Sequence, residues 1–524
     1  MRVLRQIFLP LLALLGLAAL ARGFGGAGGT EKPGGDKAAP TPESPAPPKL
    51  EESAPVVTRH QLALGQRTLD YVASCGTMPL KNEQGEIEAN LFFTAYTLDS
   101  EQGAAERPLM FSFNGGPGSS SVWLHLGGLG PRRVEMLDDG AMPAPPFHLV
   151  DNELTWLDAT DLVFIDPVET GYSRAATTEL GKRYQGVQTD LDSVGEFIRL
   201  YLTRYQRWAS PLFLVGESYG TFRAAGLAGN LIEKGIAFNG IVLVSSVLQM
   251  QTLRFHDGND LPYLMYLPTY AATAWYHGRL PKELQRKPLA EVLAEVEAWA
   301  ANDYLVALAK GVMLTAKERA ATVERLARYT GLDPRYIELS DLRVEIWRFC
   351  KELLRHEGRT VGRLDSRYTG TDTREIAETP EFDPSLSAIR PPYTSMINDY
   401  LRGALGYETD AEYHILRSLE WDWGSAGEGY PRTDEALALA FAKNPYLWLF
   451  VASGYYDLAT PYFATEYTLN HLPLAAETRS NIQTEEYPVG HMVYLEKATL
   501  AKLREDVARF IESATSVAGK PLRG

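Results

Sequence analysis

Four short, almost entirely apolar runs constrain the fold of this chain more than any other feature. They occupy residues 109–113, 162–165, 212–215 and 241–245. Runs of this kind are typical of parallel strands whose sheet is buried on both faces. Helical patterns lie between them, for example over residues 191–205. The alternation of strands and helices predicts an α/β fold with a central, mostly parallel sheet.

Four further strand-like segments and a last helix complete the predicted sheet and its cover. Residues 62–74 and 87–97 have strand patterns ahead of the first apolar run. Residues 447–452 form another apolar run, and residues 481–487 read as a strand after it. A final helix is predicted over residues 495–513. The C-terminal part of the chain is therefore expected to return to the sheet.

Between about residues 250 and 440 the apolar residues follow helical spacing instead. Thr315 and Glu318 form a capping box that begins one helix, and Gly331 can end it. A further helix is predicted to begin at Ser340. We therefore expect a mostly helical cap inserted into the α/β core. The predicted limits are residues 56–250 for the first part of the core, 251–440 for the cap and 441–524 for the second part.

The first residues have the features of an export signal. Arg2 and Arg5 make a positive start, an apolar stretch follows, and Ala19-Leu20-Ala21 fits a cleavage site. The stretch is short for a membrane span, so we predict a signal peptide over residues 1–21 that is removed. Residues 22–55 are rich in Gly, Pro and Ala and are predicted to be a disordered linker. The expected product is an exported protein, periplasmic or extracellular, without a membrane span.

The charge of the chain argues against one class of partner, and the placement of its cysteines argues against a disulfide bond. The formal net charge is −15, which argues against nucleic acid as a partner because phosphate binding needs a basic face. Cys75 and Cys350 are the two cysteines. Cys350 lies on an apolar helical stripe, so two separate buried thiols are the favoured interpretation.

A Gly-x-Ser-x-Gly motif at residues 216–220 directly follows one of the apolar runs. A helical pattern follows it, and this strand–turn–helix context predicts a nucleophile elbow of the α/β-hydrolase fold. The glycines allow a strained turn that exposes the serine above the sheet. We therefore predict Ser218 as a nucleophile, with an ordinary turn serine as the alternative.

A serine nucleophile needs a base, and in this fold the chain order is serine, then acid, then histidine. His491 is the histidine in the required place, between the last predicted strand and the last helix. Asp457 follows the apolar run at residues 447–452 and is predicted to orient that histidine. Asp410 and Asp422 are rivals that no predicted strand delivers.

An oxyanion hole requires two backbone N–H donors. Tyr219, next after the nucleophile, is predicted to give one. The other is expected from the Gly-rich loop over residues 114–121, which follows the first apolar run. A phosphate cradle is the competing reading of this loop, but it lacks the lysine and spacing of a nucleotide loop. The predicted chemistry uses neither a metal nor an organic cofactor.

These motifs resemble those of the serine carboxypeptidase family. The family has a loop that here reads Phe-Asn-Gly-Gly-Pro-Gly at residues 113–118, and a Gly-Glu-Ser-Tyr elbow at residues 216–219. A Gly-His-Met segment is found at residues 490–492, and two further family signatures match at residues 129–131 and 166–173. The resemblance extends from about Val56 to the C-terminus and implies a peptide substrate with a free C-terminus.

The resemblance also implies a role for individual residues. Ser218, Asp457 and His491 correspond to the catalytic triad, and Gly116 and Tyr219 to the oxyanion donors. Asn114 and Glu217 correspond to the residues that bind the terminal carboxylate of the substrate. A glutamate beside a carboxylate needs a shared proton, which favours acidic conditions.

The sequence departs from the family pattern at several positions. Gly128 stands where the family has a second glutamate, and Glu169 where it usually has glycine. Ser119 replaces a usual cysteine, and Tyr494 a usual proline. These departures bear on exopeptidase specificity and on an acidic optimum. Two alternatives therefore stay open beside a carboxypeptidase: an esterase or acyltransferase with the same triad, and a non-catalytic exported binding protein.

Overall fold

The computed structural model describes residues 50–98, 106–424 and 430–516. The predicted signal peptide and most of the predicted linker lie outside the described residues. The strands are β1 (Val56–Leu64), β2 (Arg67–Lys81), β3 (Ile87–Leu98), β4 (Leu109–Phe113), β5 (Arg132–Val134), β6 (Leu149–Asp151), β7 (Asp161–Ile165), β8 (Arg174–Ala175), β9 (Leu212–Ser218), β10 (Gly240–Ser246), β11 (Thr360–Val361), β12 (Thr369–Gly370), β13 (Trp448–Gly454) and β14 (Ile482–Tyr487).

Helices separate many of these strands, and α16 follows the last one. The α-helices are α1 (Val122–Leu124), α2 (Thr178–Arg183), α3 (Val187–Arg204), α4 (Tyr219–Glu233), α5 (Leu261–Tyr276), α6 (Lys282–Gln285), α7 (Leu289–Trp299), α8 (Leu305–Lys310), α9 (Ala316–Thr330), α10 (Pro334–Leu339), α11 (Ile346–Glu352), α12 (Pro384–Asp399), α13 (Asp434–Lys443), α14 (Tyr462–Asn470), α15 (Ala476–Arg479) and α16 (Lys497–Ser516). Short π-helices cover His125–Leu129, Ala300–Tyr304 and Tyr400–Ala404, and 3₁₀ turns cover Met250–Thr252, Gly311–Met313 and Arg355–Glu357.

One large sheet organises the molecule, with its strands in the order β1-β2-β3-β7-β4-β9-β10-β13-β14. The strands from β7 to β14 along this order pair in parallel, whereas β1, β2, β3 and β7 pair antiparallel. All four apolar runs of the sequence lie in the parallel part, as strands β4, β7, β9 and β10. The predicted α/β class with a mostly parallel sheet is therefore confirmed.

Alternate residues of the central strands pack into different cores on the two faces of the sheet. On one face Phe213 and Val215 join a cluster that includes residues of α16. On the other face Leu214 joins residues of α3, α4 and α13. Because both faces are covered, the strands need apolar residues at nearly every position. This double burial explains why the four runs are almost entirely apolar, with Ser112 and Ser245 as buried exceptions.

Between β10 and β13 the described residues form helices α5 to α13 and the short β11–β12 hairpin. Many of these helices share an apolar cluster of their own, to which Leu458 and Ala464 also contribute. The predicted capping box of Thr315 and Glu318 is confirmed at the start of α9, and Gly331 ends that helix in the left-handed conformation. Helix packing within the insertion thus gives this segment a separate apolar core.

Two predictions of local structure are wrong. The strand predicted over residues 62–74 is two strands, because Gly65 takes φ +61 and turns β1 back onto β2. No helix begins at Ser340, because Asp341 and Leu342 take φ +51 and +66, outside the helical region. The helix that carries Phe349 begins instead at Ile346. In both places a short left-handed turn interrupts an apolar pattern that continues past it.

Cys75 and Cys350 are both free and buried, which confirms the interpretation as separate thiols. Across the described ranges, no helix combines the length and apolar character needed to cross a membrane.

Candidate active site

Ser218 occupies a strained turn between the end of β9 and the start of α4. Its φ is +60, which a non-glycine residue rarely adopts, and such strain is typical of functional sites. Glycines on either side allow the turn. A Cβ on Gly216 would lie 2.1 Å from Gly220 O, and one on Gly220 would lie 2.7 Å from Phe113 O. The sequence motif therefore forms the predicted elbow for steric reasons.

The loops after β13 and β14 bring Asp457 and His491 together. The two strands are parallel neighbours, so their carboxyl ends lie at the same edge of the sheet. His491 Nδ1 is 2.7 Å from Asp457 Oδ2. The carboxylate also accepts hydrogen bonds from Ala459 N at 2.7 Å and from Thr460 N at 3.0 Å, both at Oδ1. Thr460 Oγ1 donates to Oδ2 at 2.7 Å. Hydrogen bonds to both carboxylate oxygens thus hold the Asp457 side chain in one orientation.

The electrostatics of His491 follow from this pairing. Burial opposes the charged imidazolium, but the charge and the hydrogen bond of Asp457 outweigh burial and raise the pKa of His491. Ser218 and His491 line the same cavity. Within the described residues no hydrogen bond joins Ser218 Oγ to the imidazole. Bonds of this kind are often long in a site without substrate and tighten when substrate binds.

The Gly-rich loop after β4 lies directly against the elbow. A Cβ on Gly115 would stand 2.4 Å from Tyr219 N, so only glycine permits this approach. Gly116 takes φ +103 and lines the cavity beside Ser218. Tyr219 is the first residue of α4, where a backbone N–H has no partner within the helix. The structure thus places Gly116 in the cavity of Ser218 and the Gly-rich loop directly against Tyr219 N, while the oxyanion role of the two N–H groups stays a prediction.

Asn114 and Glu217 form a buried pair beside the nucleophile. Asn114 Nδ2 donates to Glu217 Oε1 at 3.0 Å, and Asn114 Oδ1 accepts from Leu124 N at 3.1 Å. The second bond fixes the amide so that its NH₂ group faces Glu217. Glu217 uses one of the two N–H bonds of that group. Asn114 also lies beside Tyr494, where its hydrogen bonding opposes the rise that burial causes in the pKa of the phenol. Both residues line the cavity that contains Ser218.

Glu217 is a weak acid in this environment. Burial raises the pKa of its carboxyl to about 7, and the negative charge of Asp457 acts in the same direction. His491 and hydrogen bonding with Tyr494 and Asn114 lower the pKa but do not cancel the effect of burial. Near neutral pH a substantial fraction of Glu217 therefore carries a proton and can donate a hydrogen bond.

The inserted segment supplies much of the cavity wall, through residues that no sequence motif identified. The lining residues from this segment are Arg363, Leu364, Asp383, Leu386, Ile389 and Leu416. Asp365 also supports the site, since it accepts a hydrogen bond from Gly490 N at 3.1 Å. A Cβ on Gly490 would lie 2.4 Å from Asp365 Cβ, so the loop of His491 rests tightly on the insertion.

The remaining predicted or unusual residues lie away from this chemistry. Asp410 is exposed and pairs with Arg402 at 3.2 Å, while Asp422 N bonds Gln185 O at 2.7 Å near the start of α3. Glu169 pairs with Arg417 at 2.7 Å. Neither aspartate approaches His491 as Asp457 does, and Glu169 is held by a partner outside the cavity.

The mostly parallel sheet and the strained turn after β9 define an α/β-hydrolase fold. A family model described as serine carboxypeptidase matches residues 74–285, which confirms the resemblance predicted from the motifs. "Serine carboxypeptidase-like 5" of Arabidopsis thaliana is 30% identical over 153 residues, which are 28% of this chain and 33% of the relative. "Pheromone-processing carboxypeptidase KEX1" of Saccharomyces cerevisiae (strain JAY291) is 33% identical over 155 residues, 28% of this chain and 20% of the relative.

The matched segments span about a third or less of the length of these two relatives. The crystal structure of KEX1(delta)p, a prohormone-processing carboxypeptidase from Saccharomyces cerevisiae, superposes over 85% of this chain and 91% of its own. The TM-score is 0.51 at 17% sequence identity, which shows a shared fold. The Gly-Glu-Ser-Tyr elbow lies inside the segment that the family model matches, whereas Asp457 and His491 lie beyond it.

Proposed function

We propose that the protein is a serine-type carboxypeptidase that hydrolyses the C-terminal peptide bond of peptides. The observation that carries this proposal is the Asn114–Glu217 hydrogen bond of 3.0 Å in the cavity that also contains Ser218. A nucleophile beside a buried pair of carboxylate-binding groups suits a substrate whose scissile bond lies one residue from a free carboxylate. The serine carboxypeptidase relatives support the same substrate class.

In the proposed mechanism, Ser218 Oγ attacks the carbonyl carbon of the last peptide bond while His491 Nε2 takes the serine proton. Asp457 holds the imidazole through Nδ1 and stabilises its charged form. The N–H groups of Gly116 and Tyr219 stabilise the oxyanion. His491 then returns the proton to the leaving amine, and water releases the acyl group from Ser218 by the same route in reverse.

Recognition of the terminal carboxylate requires that Glu217 not repel it. With a pKa raised to about 7 by burial, the protonated carboxyl donates a hydrogen bond to the substrate carboxylate below that pH. Asn114 Nδ2 contributes its second N–H. Above pH 7 the ionised Glu217 repels the substrate, so the affinity for a free C-terminus falls as the pH rises.

A comparison of matched substrates tests the proposal. N-blocked dipeptides with a free or an amidated C-terminus are incubated at pH 6 with the protein and with Ser218→Ala, and the products are read by mass spectrometry. We expect release of the last residue from the free form, much slower cleavage of the amide, and no activity in the variant. Equal rates on the two forms would favour an esterase-like or transferase site. If a fluorophosphonate probe fails to label Ser218, the result would favour the alternative of a non-catalytic binding protein.

We also propose that the protein acts outside the cytoplasm. Arg2, Arg5 and the apolar stretch that follows support export through a cleaved signal. N-terminal sequencing of the protein recovered from its native host tests this, with a start near residue 22 as the expected result. A mature protein that retains Met1 would contradict it.

A further inference from the structure

Tyr494 lies three residues after His491 and packs beneath the carboxylate-binding pair. Its side chain is 1% exposed. The ring occupies space that two glycines of the π-helix leave open. A Cβ on Gly127 would stand 2.3 Å from Tyr494 Cε2, and a Cβ on Gly128 would stand 2.9 Å from Tyr494 Cβ. The aromatic side chain and the two glycines are therefore sterically interdependent, and larger residues at 127 or 128 would displace the ring.

Two polar atoms at this place have no proper partner. Neither Tyr494 Oη nor Glu217 Oε2, both buried, makes a hydrogen bond of ordinary length and angle with any residue in the described ranges. The phenol is nevertheless close enough for hydrogen bonding to lower the pKa of the Glu217 carboxyl. A buried carboxylate oxygen without a partner is costly. Burial chiefly raises the pKa of Tyr494, and hydrogen bonding with Glu217 and with Asn114 also affects it, so the phenol lies beside both members of the pair.

The charged and titratable groups that face Glu217 come from several elements. His491 lowers the pKa of Glu217 and Asp457 raises it, while Asn114 and Tyr494 lower it as neutral hydrogen-bonding groups. Tyr393 on α12 is buried nearby, and its own pKa is raised chiefly by burial and also by the charge of Glu217. The π-helix over His125–Leu129 contains no acidic residue and presents Gly127 and Gly128 to Tyr494. The phenol of Tyr494 takes that space.

We propose that Tyr494 is a positioning residue whose hydroxyl donates to Glu217 Oε2 and so orients Glu217 for the terminal carboxylate of the substrate. This inference rests on the proposed carboxypeptidase function. Gly128 has no side chain that could bring a second carboxyl group to Glu217, and the neutral phenol of Tyr494 occupies that space instead. A phenol keeps its proton throughout the working range of pH, because burial raises its pKa well above the usual value. The Asn114–Glu217 pair then contains a single carboxyl, Glu217, whose protonation state controls recognition.

The variant Tyr494→Phe tests the proposal because it removes one oxygen and keeps the ring that fills the space over the glycines. Loss of the hydroxyl removes a group that lowers the pKa of Glu217, so that pKa rises. The decline of kcat/KM above neutral pH, measured with free C-terminal peptides, is expected to move to higher pH. At pH 6 the KM for the same peptides is expected to rise about fivefold, the loss of one hydrogen bond, with kcat little changed.

Tyr304→Phe is the matched control, since Tyr304 Oη donates to Leu342 O at 2.6 Å within the insertion. It removes a buried hydroxyl of the same kind and is expected to leave both the pH profile and the KM unchanged. An unaltered pH profile in Tyr494→Phe, or an equal change in the control, would overturn the assignment.

A readout without substrate separates this inference from the proposed function. Infrared difference titration of the protein against Glu217→Gln isolates the carboxyl band of Glu217. Its midpoint is expected to be higher in Tyr494→Phe than in the wild type. A raised midpoint together with equal rates on free and amidated peptides would refute the carboxypeptidase while leaving the Tyr494–Glu217 contact intact. An unchanged midpoint would refute the contact itself.

Discussion

The two ends of the candidate site differ in how completely the protein satisfies their polar atoms. At the acid–base end, Asp457 receives hydrogen bonds from Ala459, Thr460 and His491. At the carboxylate end, Glu217 Oε2 has no partner of good geometry among the described residues, and burial raises the pKa of the carboxyl to about 7. The first end is preorganised by the protein alone, whereas in the proposed function the second gains its full set of contacts when the substrate carboxylate enters.

This difference predicts which kinetic constant a substitution at each end will change. Changes at the acid–base end remove interactions that matter for the transition state, so they lower kcat. Changes at the carboxylate end remove contacts to a part of the substrate that does not react, so they mainly raise KM. The two ends should therefore differ in which kinetic constant a substitution changes, kcat at the first and KM at the second.

The largest effect is expected for Asp457→Asn. The substitution keeps the shape of the side chain but favours the wrong tautomer of His491, and in triads of this type it lowers kcat about 10⁴-fold. Steady-state kinetics on a free C-terminal dipeptide measure it, with KM expected to be little changed. Asp410→Asn is the matched control, because Asp410 is exposed and pairs only with Arg402 among the described residues. Near-normal kcat in Asp457→Asn would contradict the assignment of the acid.

At the opposite end, Asn114→Asp is expected to raise KM for free C-terminal peptides by about tenfold to a hundredfold, the cost of losing hydrogen bonds to a charged group. Asp keeps the oxygen that accepts from Leu124 N and replaces the donor that faces Glu217. Amidated peptides are the control substrate, and their kcat/KM is expected to change much less. A parallel loss on both substrates would mean that the variant damages the loop rather than carboxylate binding.

The raised pKa of Glu217 should also make the free energy of unfolding depend on pH. Glu217 has an ordinary pKa of 4.5 when unfolded and about 7 in the folded protein because of burial. The folded state therefore binds more protons between these values, and stability falls as the pH rises through that window. The loss above pH 7 is on the order of 3 kcal/mol. Glu217→Gln removes this dependence.

We therefore expect Glu217→Gln to be more stable than the wild type at pH 8 and similar to it at pH 4. Guanidinium unfolding at the two pH values measures the difference. Asp190→Asn is a poor control because Asp190 pairs with buried Arg223, whereas the exposed Glu512→Gln provides a neutral comparison. An equal change in stability at pH 4 and pH 8 would show that the carboxyl of Glu217 titrates normally.

The contrast between the two ends also marks what the sequence could predict. The elbow at Ser218 follows from local rules, because an apolar run, two glycines and a helix determine it within a few residues. Asp457 could be inferred from its place after β13, since the ends of parallel strands meet at one edge of the sheet. The fold class likewise followed from strand and helix alternation. Turns such as the one at Gly65 were missed, because the apolar pattern of β1 continues into β2.

Contacts that depend on the path of the inserted segment could not be predicted in this way. Asp365 and Arg363 are more than a hundred residues from both the elbow and His491, and no local motif surrounds them. Their roles arise from how the insertion packs against the loops above the sheet. In the sequence, Tyr494 stood out only because it replaces the proline that the family usually has. Its proposed role could be inferred only from the structure, which shows the ring packed against Gly127 and Gly128.

The smallest effect concerns Arg363, which connects the insertion to the acid–base end. Its guanidinium lies over Trp347, 5.5 Å from the ring centroid, and Arg363 lines the cavity with Ser218. Burial is the main influence that lowers the pKa of His491, and the positive charge of Arg363 adds to it, although Asp457 outweighs both. Arg363→Gln should therefore raise the pKa of His491 further. Because the base must be neutral to accept a proton, the acid limb of kcat/KM should move to higher pH.

An ester substrate without a free carboxylate isolates this effect from the titration of Glu217. Arg363→Lys keeps the charge and is expected to retain the wild-type profile, whereas Arg363→Gln is expected to lose activity first on the acid side. A shift of the acid limb in the opposite direction, or the same shift in both variants, would show that Arg363 acts on the shape of the cavity and not on His491. The charge of Arg363 in the insertion would then have no effect on the pKa of His491, and the acid–base end would depend only on its own hydrogen bonds to Asp457.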